Sequence, residues 1–396
     1  MSATNVLALD VGGANVKWCA GGGEAGSIAF PVWRKPEALA RRLEALCSGR
    51  GETLDALLVT MTAELCDCFA TRAEGVRHVL AATERAARRR PIHVWSTSGR
   101  FVTVEQAVAE PMAVAAANWH ALATWAARHF APAPGVLVDI GSTTSDLIPL
   151  AQGRCVAAGM TDTERLAERE LVYVGGERTP LMAVAQELTW QGIRMGVMAE
   201  RFATMGDAML LCDLARERPE DTDTADGRPM TVAFAAARLL RMVGADTDTH
   251  SQGDAVALAK CFVKAAIGRL AAALRHVVRE YETIEFVLLS GSGEMLAQKV
   301  AERAFDSWAD AGDSGNLKNE RKGGLFASRP IVRRLSEIVD PFASTAACAH
   351  AMVWLWNHGC TTTSDSPGNR KIISPADRNP SRDKLTAEDT PWLDTL

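Results

Sequence analysis

The sequence predicts an α/β fold of two similar lobes around a phosphate-binding cleft. Two apolar strands, VLALDV at 6–11 and VLVDI at 136–140, each end in an Asp that is followed by a glycine turn. Apolar strands alternate with helical segments along the chain, which favours a mixed sheet. The length of 396 residues favours two domains over one. Since the strand–turn–strand opening occurs twice, the sequence indicates an internal duplication.

The first unit is predicted at residues 1–131. Its opening strand turns at Gly12 and Gly13 into an outgoing strand through Lys17. The polar segment AELCDCF follows a second buried strand, ALLVTMT at 56–62. The remaining predicted elements are a helix at 36–47, a helix at 75–89, a strand at 91–97 and a largely helical segment at 104–130.

The second unit is predicted at 132–358, with a helical insertion at about 160–250. APAPG at 131–135 is a proline-rich hinge before the second Asp-bearing strand. The later predicted elements are a long helix at 255–281, the strand and glycine turn EFVLLSGSG at 285–293, and a last helix at 345–356. The polar remainder at 359–396 is predicted to be a disordered tail.

Composition excludes several classes of function. The net charge is −5 and no basic stripe with interleaved aromatics occurs, so no nucleic-acid partner is expected. The nine cysteines lack zinc-site spacing and indicate reduced thiols of a cytoplasmic protein. No run approaches the ~20 apolar residues that span a bilayer, so no membrane partner is expected. The oligomeric state stays open, with a homodimer as one option.

Three glycine-bearing turns are the candidate phosphate-binding segments. DVGGANVK alone is a weak signal, because an ordinary hairpin has similar residues. The second segment, DIGSTTSD, repeats its layout and adds hydroxyl donors. The third, SGSGE at 290–294, precedes a helix start and suits an anion, although an ordinary strand-to-helix turn is the alternative. The predicted phosphate-binding residues are Gly12, Gly13, Asn15, Gly141, Ser142, Thr143, Thr144, Gly291, Ser292 and Gly293. The predicted Mg²⁺ ligands are Asp10, Asp139 and Asp146.

These turns resemble the phosphate-1, phosphate-2 and adenosine motifs of the sugar kinase/Hsp70/actin (ASKHA) superfamily. The resemblance implies two ribonuclease-H-like lobes hinged around the cleft. Gly13-Ala14-Asn15 departs from the Thr/Ser-rich turn of the kinases, and no sugar-binding Asn-Asp pair is evident. Both departures weaken a sugar kinase hypothesis.

A closer resemblance extends over roughly residues 5–357, to hydantoinase/oxoprolinase-related proteins linked to tetrahydromethanopterin C1 transfer. It rests on VTMTAELCDCF (59–69), VLVDIGSTTSDLIPL (136–150), VYVGGERTPL (172–181), ERFATMGDAMLL (200–211), TADGRP (224–229) and RLLRMVGAD (238–246).

The resemblance implies a transferase of methanofuran or methylofuran biosynthesis. Such an enzyme forms an aryl ether by displacing diphosphate from an aminomethylfuran-methyl diphosphate with the phenol of a glutamyl-tyramine or tyrosine acceptor, with Mg²⁺. The alternative is an ATP-dependent small-molecule kinase or ATPase, which would bind ATP and release ADP. A non-catalytic nucleotide sensor or assembly protein is a further alternative. A hydantoinase is another, and it rests on the family name alone.

The transferase hypothesis assigns roles to individual side chains. A free phenol has a pKa of about 10, so a general base is useful, and Glu64 or Asp67 could serve. Lys17, together with Mg²⁺ held by Asp139, would neutralise the leaving group. Both acids could instead be solvated in a surface loop. The substrate-contact candidates are Arg178, Asp207, Asp226 and Arg228. For these, a helix-entry turn at Arg178, a buried paired acid at Asp207 and a plain turn at TADGRP are the alternatives.

Overall fold

Two six-stranded sheets stand at the centre of the computed structural model, which describes residues 5–49, 54–309 and 329–360. The strands are β1 Val6–Val11, β2 Asn15–Ala20, β3 Ala25–Ala29, β4 Ala56–Met61, β5 Ile92–Ser96, β6 Arg100–Val102, β7 Gly135–Ile140, β8 Ser145–Ala151, β9 Arg154–Cys155, β10 Leu171–Val172, β11 Glu187–Trp190, β12 Ile193–Gly196, β13 Phe286–Ser290 and β14 Ile331–Arg334.

The helices cover the faces of these sheets. They are α1 Leu39–Ser48, α2 Arg72–Ala87, α3 Val104–Ala109, α4 Asn118–His129, α5 Asp162–Ala167, α6 Met205–Leu211, α7 Val232–Arg241, α8 Gln252–Val278, α9 Glu294–Ala309, α10 Leu335–Ile338, α11 Pro341–Thr345 and α12 Ala347–Asn357. Single 3₁₀ turns lie at Pro36–Ala38, Ala63–Leu65, Pro111–Ala113 and Leu181–Ala183.

The two sheets repeat one strand order, which confirms the predicted duplication. The first sheet runs β3-β2-β1-β4-β5-β6, and the second runs β10-β8-β7-β13-β14 with β9 also paired to β8. In both, the Asp-bearing strand pairs antiparallel with the strand after its turn and parallel with a later strand. The predicted two-lobed α/β fold is therefore confirmed.

The central strands are buried on both faces, which explains their continuous apolar runs. Every residue of β1 and of β4 is buried, as expected for strands covered by layers on each side. One core lies under α1 and α2 on the outer face of the first sheet. Another joins the second sheet to α6, α7, α8 and α9.

A third core lies between the sheets and is built by α4 and α12. Helix α4, which ends the predicted first unit, packs on β8 and β9 of the second sheet. Helix α12, near the end of the described chain, packs on β1, β2 and β4 of the first. The helices also contact each other, so the boundary predicted at 131/132 separates the strands of the two lobes but not their covering helices.

The predicted helical insertion at about 160–250 is in fact mixed. It contains α5, α6 and α7, but also β10, which extends the second sheet, and the separate β11–β12 hairpin. Short apolar runs such as ELTW at 187–190 do not reveal their partner strand, which explains the difference. The predicted tail lies outside the described residues, apart from Gly359 and Cys360. Across the described segments, no helix is both long and apolar enough to span a bilayer.

Candidate active site

The β1–β2 and β7–β8 turns close in the same way. The Gly12 N–H donates to the Asn15 carbonyl at 2.9 Å, and the Gly141 N–H donates to the Thr144 carbonyl at 2.9 Å. Small residues in each turn leave its backbone accessible from the space between the sheets. The two turns thus present equivalent rims to one cavity, as the sequence predicted.

Four charged positions flank these turns in matching register. Asp10 lies opposite Lys17 across β1–β2, and Asp139 lies opposite Asp146 across β7–β8. Burial raises the pKa of Asp10 to about 6, against the opposing charge of Lys17. Burial also raises the pKa of Asp139 to about 6; the Asp146 charge adds to this and Lys17 opposes it.

Asp146 is held by an arginine that sequence reasoning did not identify. Arg165 Nη2 donates to Asp146 Oδ1 at 2.6 Å, and its guanidinium carbon lies 3.9 Å from the centroid of the buried Trp119 ring. Burial raises the pKa of Asp146, and the Arg165 charge opposes that rise. Asp146 therefore meets the cavity as a carboxylate already paired on one oxygen.

The third glycine turn packs against the second. Ser290 lies opposite Asp139 in the parallel β7–β13 pair, and the Gly293 N–H donates to the Ile140 carbonyl at 2.8 Å. Gly291 has a φ of +90°, and a Cβ there would lie 2.2 Å from the Ile140 carbonyl oxygen. Only glycine fits this position, so this turn is built for close approach to β7.

The GGERT segment, 175–179, braces the second phosphate turn. The Gly176 N–H donates to the Gly141 carbonyl at 2.9 Å, and the Arg178 N–H donates to the Ser142 carbonyl at 2.8 Å. The Arg178 guanidinium carbon lies 4.8 Å from the centroid of the Trp33 ring, which belongs to the opposite lobe. Arg178 thus joins the rim of the turn to the far wall of the cavity.

Glu64 occupies the 3₁₀ turn that follows β4 and is buried. Its Oε1 accepts a hydrogen bond from Arg72 Nη2 at 2.9 Å, while its buried Oε2 has no hydrogen-bond partner among the described residues. Burial raises the pKa of Glu64 to about 7, and the Arg72 hydrogen bond and charge oppose the rise. This is a carboxylate suited to accepting a proton near neutral pH.

A cavity of about 610 Å³ collects most of the predicted site residues. Asp67, Ser292, Gly293, Asp207, Asp226 and Arg228 are not among the residues that line it. The predicted residues that line it are Asp10, Gly12, Gly13, Asn15, Lys17, Glu64, Asp139, Gly141, Ser142, Thr143, Thr144, Asp146, Arg178 and Gly291.

Asp207 and Asp226 instead pair with the buried Arg238. Arg238 Nη2 lies 2.7 Å from Asp207 Oδ1, and Arg238 Nη1 lies 2.9 Å from Asp226 Oδ1. The side chains of Arg238 and Asp207 are almost fully removed from solvent. For Asp207 this is the buried-pair alternative that the sequence left open. The Arg228 carbonyl and the Asp226 carboxylate both accept from Thr224 within the TADGRP turn.

Several residues that line the cavity are not predicted from the sequence. Trp33, Trp119, Asp162, Arg165 and Tyr173 all line the cavity. None lies in a glycine turn, so only the tertiary fold brings them to the site. Asp162 had one local signal, since it follows the Thr161 cap that begins α5.

The side chains of the cavity fit a magnesium ion only if a substrate supplies some of its ligands. Within the described chain, no three His, Cys, Asp or Glu side chains converge on one point as a metal site. The buried Oδ1 of Asp10 has no partner there, and Asp139 shares its surroundings. Mg²⁺ is commonly held by one or two carboxylates together with substrate phosphates and water. Asp10 and Asp139 could supply the carboxylates, and a substrate would supply the phosphates.

Comparison with known proteins identifies the chain's relatives. A family model described as hydantoinase/oxoprolinase matches residues 55–305. A Methanocaldococcus jannaschii protein, named (4-{4-[2-(gamma-L-glutamylamino)ethyl]phenoxymethyl}furan-2-yl)methanamine synthase, is 32% identical over 292 residues, or 73% of this chain and 86% of the relative. A Methanococcus vannielii protein of the same name is 32% identical over 159 residues, or 40% of this chain and 71% of the relative.

Similar solved structures have low sequence identity. A nucleotide-free acetone carboxylase structure has a TM-score of 0.49 at 8% identity, covering 88% of this chain and 70% of its own. A non-polymerising MamK mutant bound to AMPPNP has a TM-score of 0.42 at 9% identity, covering 87% and 97%.

Proposed function

The chain belongs to the hydantoinase/oxoprolinase family, and we propose that it is a transferase that joins a phenol to a furan-methyl group with release of diphosphate. The relatives' name describes a product in which a phenol oxygen is bonded to a furan methylene. In the proposed step, the phenol oxygen forms a bond to the furan methylene of an aminomethylfuran-methyl diphosphate. The carbon–oxygen bond to diphosphate breaks, and diphosphate leaves with the electron pair.

The two glycine turns and Lys17 would hold the leaving group. Backbone N–H groups of the turns and the Lys17 ammonium would stabilise the charge that grows on diphosphate as the bond breaks. Asp10 and Asp139 would hold Mg²⁺, which neutralises diphosphate charge when bound. The ring oxygen of the furan stabilises positive charge on the methylene carbon as diphosphate departs, so a dissociative displacement suits this substrate.

Glu64 carries the proposal, because a transferase of this type needs a base for the phenol. Its Oε2 is buried and without a partner in the described structure, while Oε1 is fixed by Arg72. The phenol proton would pass to Oε2 as the ether forms. A kinase of the same fold would transfer the γ-phosphoryl group of ATP and release ADP. In the proposed reaction the furan methylene is transferred and the diphosphate of the donor is released.

The acceptor is proposed to be a phenol that carries an acidic amino-acid group, either glutamyl-tyramine or a tyrosine. The product would be a methanofuran or methylofuran precursor. Arg178 and Arg201 line the cavity and form no ion pair within the described residues. Both guanidiniums are therefore available for substrate carboxylate or phosphate.

The test is incubation of purified protein with synthetic furan diphosphate, phenolic acceptor and Mg²⁺, followed by mass spectrometry. We expect one ether and one diphosphate per turnover without ATP. The matched control is Arg77→Gln, an exposed residue of α2, which should leave turnover unchanged. Acceptor-dependent ADP release from Mg-ATP, with no ether formed from the furan diphosphate, would contradict the transferase and support a kinase.

A further inference from the structure

An ion bridge connects the two lobes at the candidate base. Arg72, the first residue of α2, lies between Glu64 of its own lobe and Asp162 of α5 in the second lobe. A single atom, Arg72 Nη2, lies 2.9 Å from Glu64 Oε1 and 3.2 Å from Asp162 Oδ2. Exposure of the three side chains is 22% for Arg72, 0% for Glu64 and 17% for Asp162.

Local structure fixes both ends of this bridge. The Thr71 hydroxyl accepts from the Glu74 N–H at 3.1 Å, which caps α2 directly before Arg72. A capping box formed by Thr161 and Glu164 does the same before Asp162. The bridge therefore runs between two helix starts with defined geometry, rather than between flexible surface side chains.

The bridge leaves Glu64 with one free oxygen. Arg72 engages Oε1, and the buried Oε2 has no partner in the described residues. Glu64 is one of the residues that line the cavity. A buried carboxylate oxygen without a donor is costly, so a proton donor from a bound molecule would satisfy it. The phenol of the proposed acceptor is such a donor.

We propose that Arg72, together with Asp162, is a positioning residue that fixes Glu64 with Oε2 toward the acceptor phenol and ties this orientation to contact between the lobes. The proposal rests on the transferase function proposed above. Arg72 acts through Glu64 and does not itself line the cavity. Neither Arg72 nor Asp162 belongs to the glycine turns that hold the leaving group.

The charges around Glu64 distinguish a positioning role of Arg72 and Asp162 from a merely structural one. The groups that interact with it are Arg72 on α2, Asp162 on α5, Tyr173 after β10 and Cys66 in its own turn. Arg72 lowers the pKa of Glu64, and Asp162 raises it. Substitution of the two bridge partners should therefore move the Glu64 titration in opposite directions.

The first measurement is the pH profile of kcat for ether formation. Arg72→Gln should move the acid limb to higher pH and reduce kcat by about 10- to 100-fold, since small misplacement of a catalytic group is costly. Asp162→Asn should move the limb to lower pH. Arg72→Lys should restore the limb toward its wild-type position, and Arg77→Gln should leave it unchanged.

The second measurement does not need turnover. Carbon-13 NMR titration of labelled glutamate, with Glu64 assigned by its loss in Glu64→Gln, should show the same opposite shifts. These shifts without any ether formation would uphold the bridge and reject the transferase. A Glu64 titration unchanged in both Arg72→Gln and Asp162→Asn would overturn the proposal, as would equal kcat losses with an unmoved acid limb.

Discussion

Lys17 and Asp146 hold equivalent positions in the two hairpins but carry opposite charges. Lys17 faces Asp10 across β1–β2, while Asp146 faces Asp139 across β7–β8. The duplicated scaffold therefore places a cation on one side of the cleft and an extra acid on the other. Arg165 pairs with that acid, while the charge of Lys17 acts on both Asp10 and Asp139.

Lys17→Met should lower kcat/KM for the furan diphosphate by about 10²-fold. The substitution removes a charge that would stabilise the departing diphosphate, and loss of one such group has a cost of this order. Steady-state kinetics with varied donor measures the effect. Lys35→Met, at an exposed position outside the cavity, is the matched control. Equal kinetics for the two variants would contradict the role of Lys17.

Glu64→Gln should lower kcat by about 10²–10⁴-fold, the usual contribution of a general base. In the wild type, turnover should rise as pH increases through about 7, because Glu64 must lose its proton to act. That limb should vanish in Glu64→Gln. Asp67→Asn tests the other acid of the loop, which is exposed and outside the cavity. A larger loss in Asp67→Asn than in Glu64→Gln would reverse the assignment.

Asp10→Asn should stabilise the protein above pH 7 while it abolishes metal-dependent activity. Burial raises the pKa of Asp10 in the folded state from 3.8 to about 6. At pH values between these two, the folded state therefore holds a proton that the unfolded state has lost. This contribution to stability is complete below pH 3.8 and is lost as pH rises through about 6. A shift of this size corresponds to up to about 3 kcal/mol.

The measurement for Asp10→Asn is denaturant unfolding with chelator at pH 4 and pH 8. The gain in unfolding free energy over wild type should appear at pH 8 and be absent at pH 4. A variant less stable than wild type at pH 8 would show that Asp10 is satisfied in the folded state without a cation.

Gly75→Ala should disturb the candidate base from outside the cavity. A Cβ at Gly75 would lie 2.5 Å from the Glu64 carbonyl oxygen and 2.6 Å from its Cα. Helix α2 or the 3₁₀ turn must move, at a cost of about 1–3 kcal/mol, and kcat should fall with it. Gly268→Ala in α8 is the matched control, because its Cβ would meet nothing within 4 Å. That substitution should stabilise the helix by about 0.5–1 kcal/mol.

The glycine turns could be predicted from the sequence because their signal is local. An Asp at the end of an apolar strand, followed by Gly12 or Gly141, specifies strand, turn and acid within a few residues. Their meeting in one cavity followed from the duplication, since equivalent strands end at equivalent edges. Glu64 was predicted for a similar reason, because it follows the buried β4 directly.

The partners of these residues were not predictable in the same way. Arg72 and Asp162 meet across the lobes, and nothing in either segment identifies the other. Asp207 and Arg238 are brought together by the packing of α6 on α7, which buries both charges. Neither residue is close in sequence to a glycine turn. The sequence alone leaves an acid such as Asp207 equally compatible with a substrate site and with a buried pair.

Helix α12 covers the first sheet but lies late in the chain, so the first lobe cannot be completed until most of the described chain has been synthesised. The first sheet is synthesised early, but the helix that covers its inner face, α12, is among the last segments of the described chain to emerge. Until then, the inner side chains of β1 and β4 lack their apolar cover and are open to association with other chains. A chain terminated before residue 347 would therefore lack the helix that packs on β1, β2 and β4 of the first sheet.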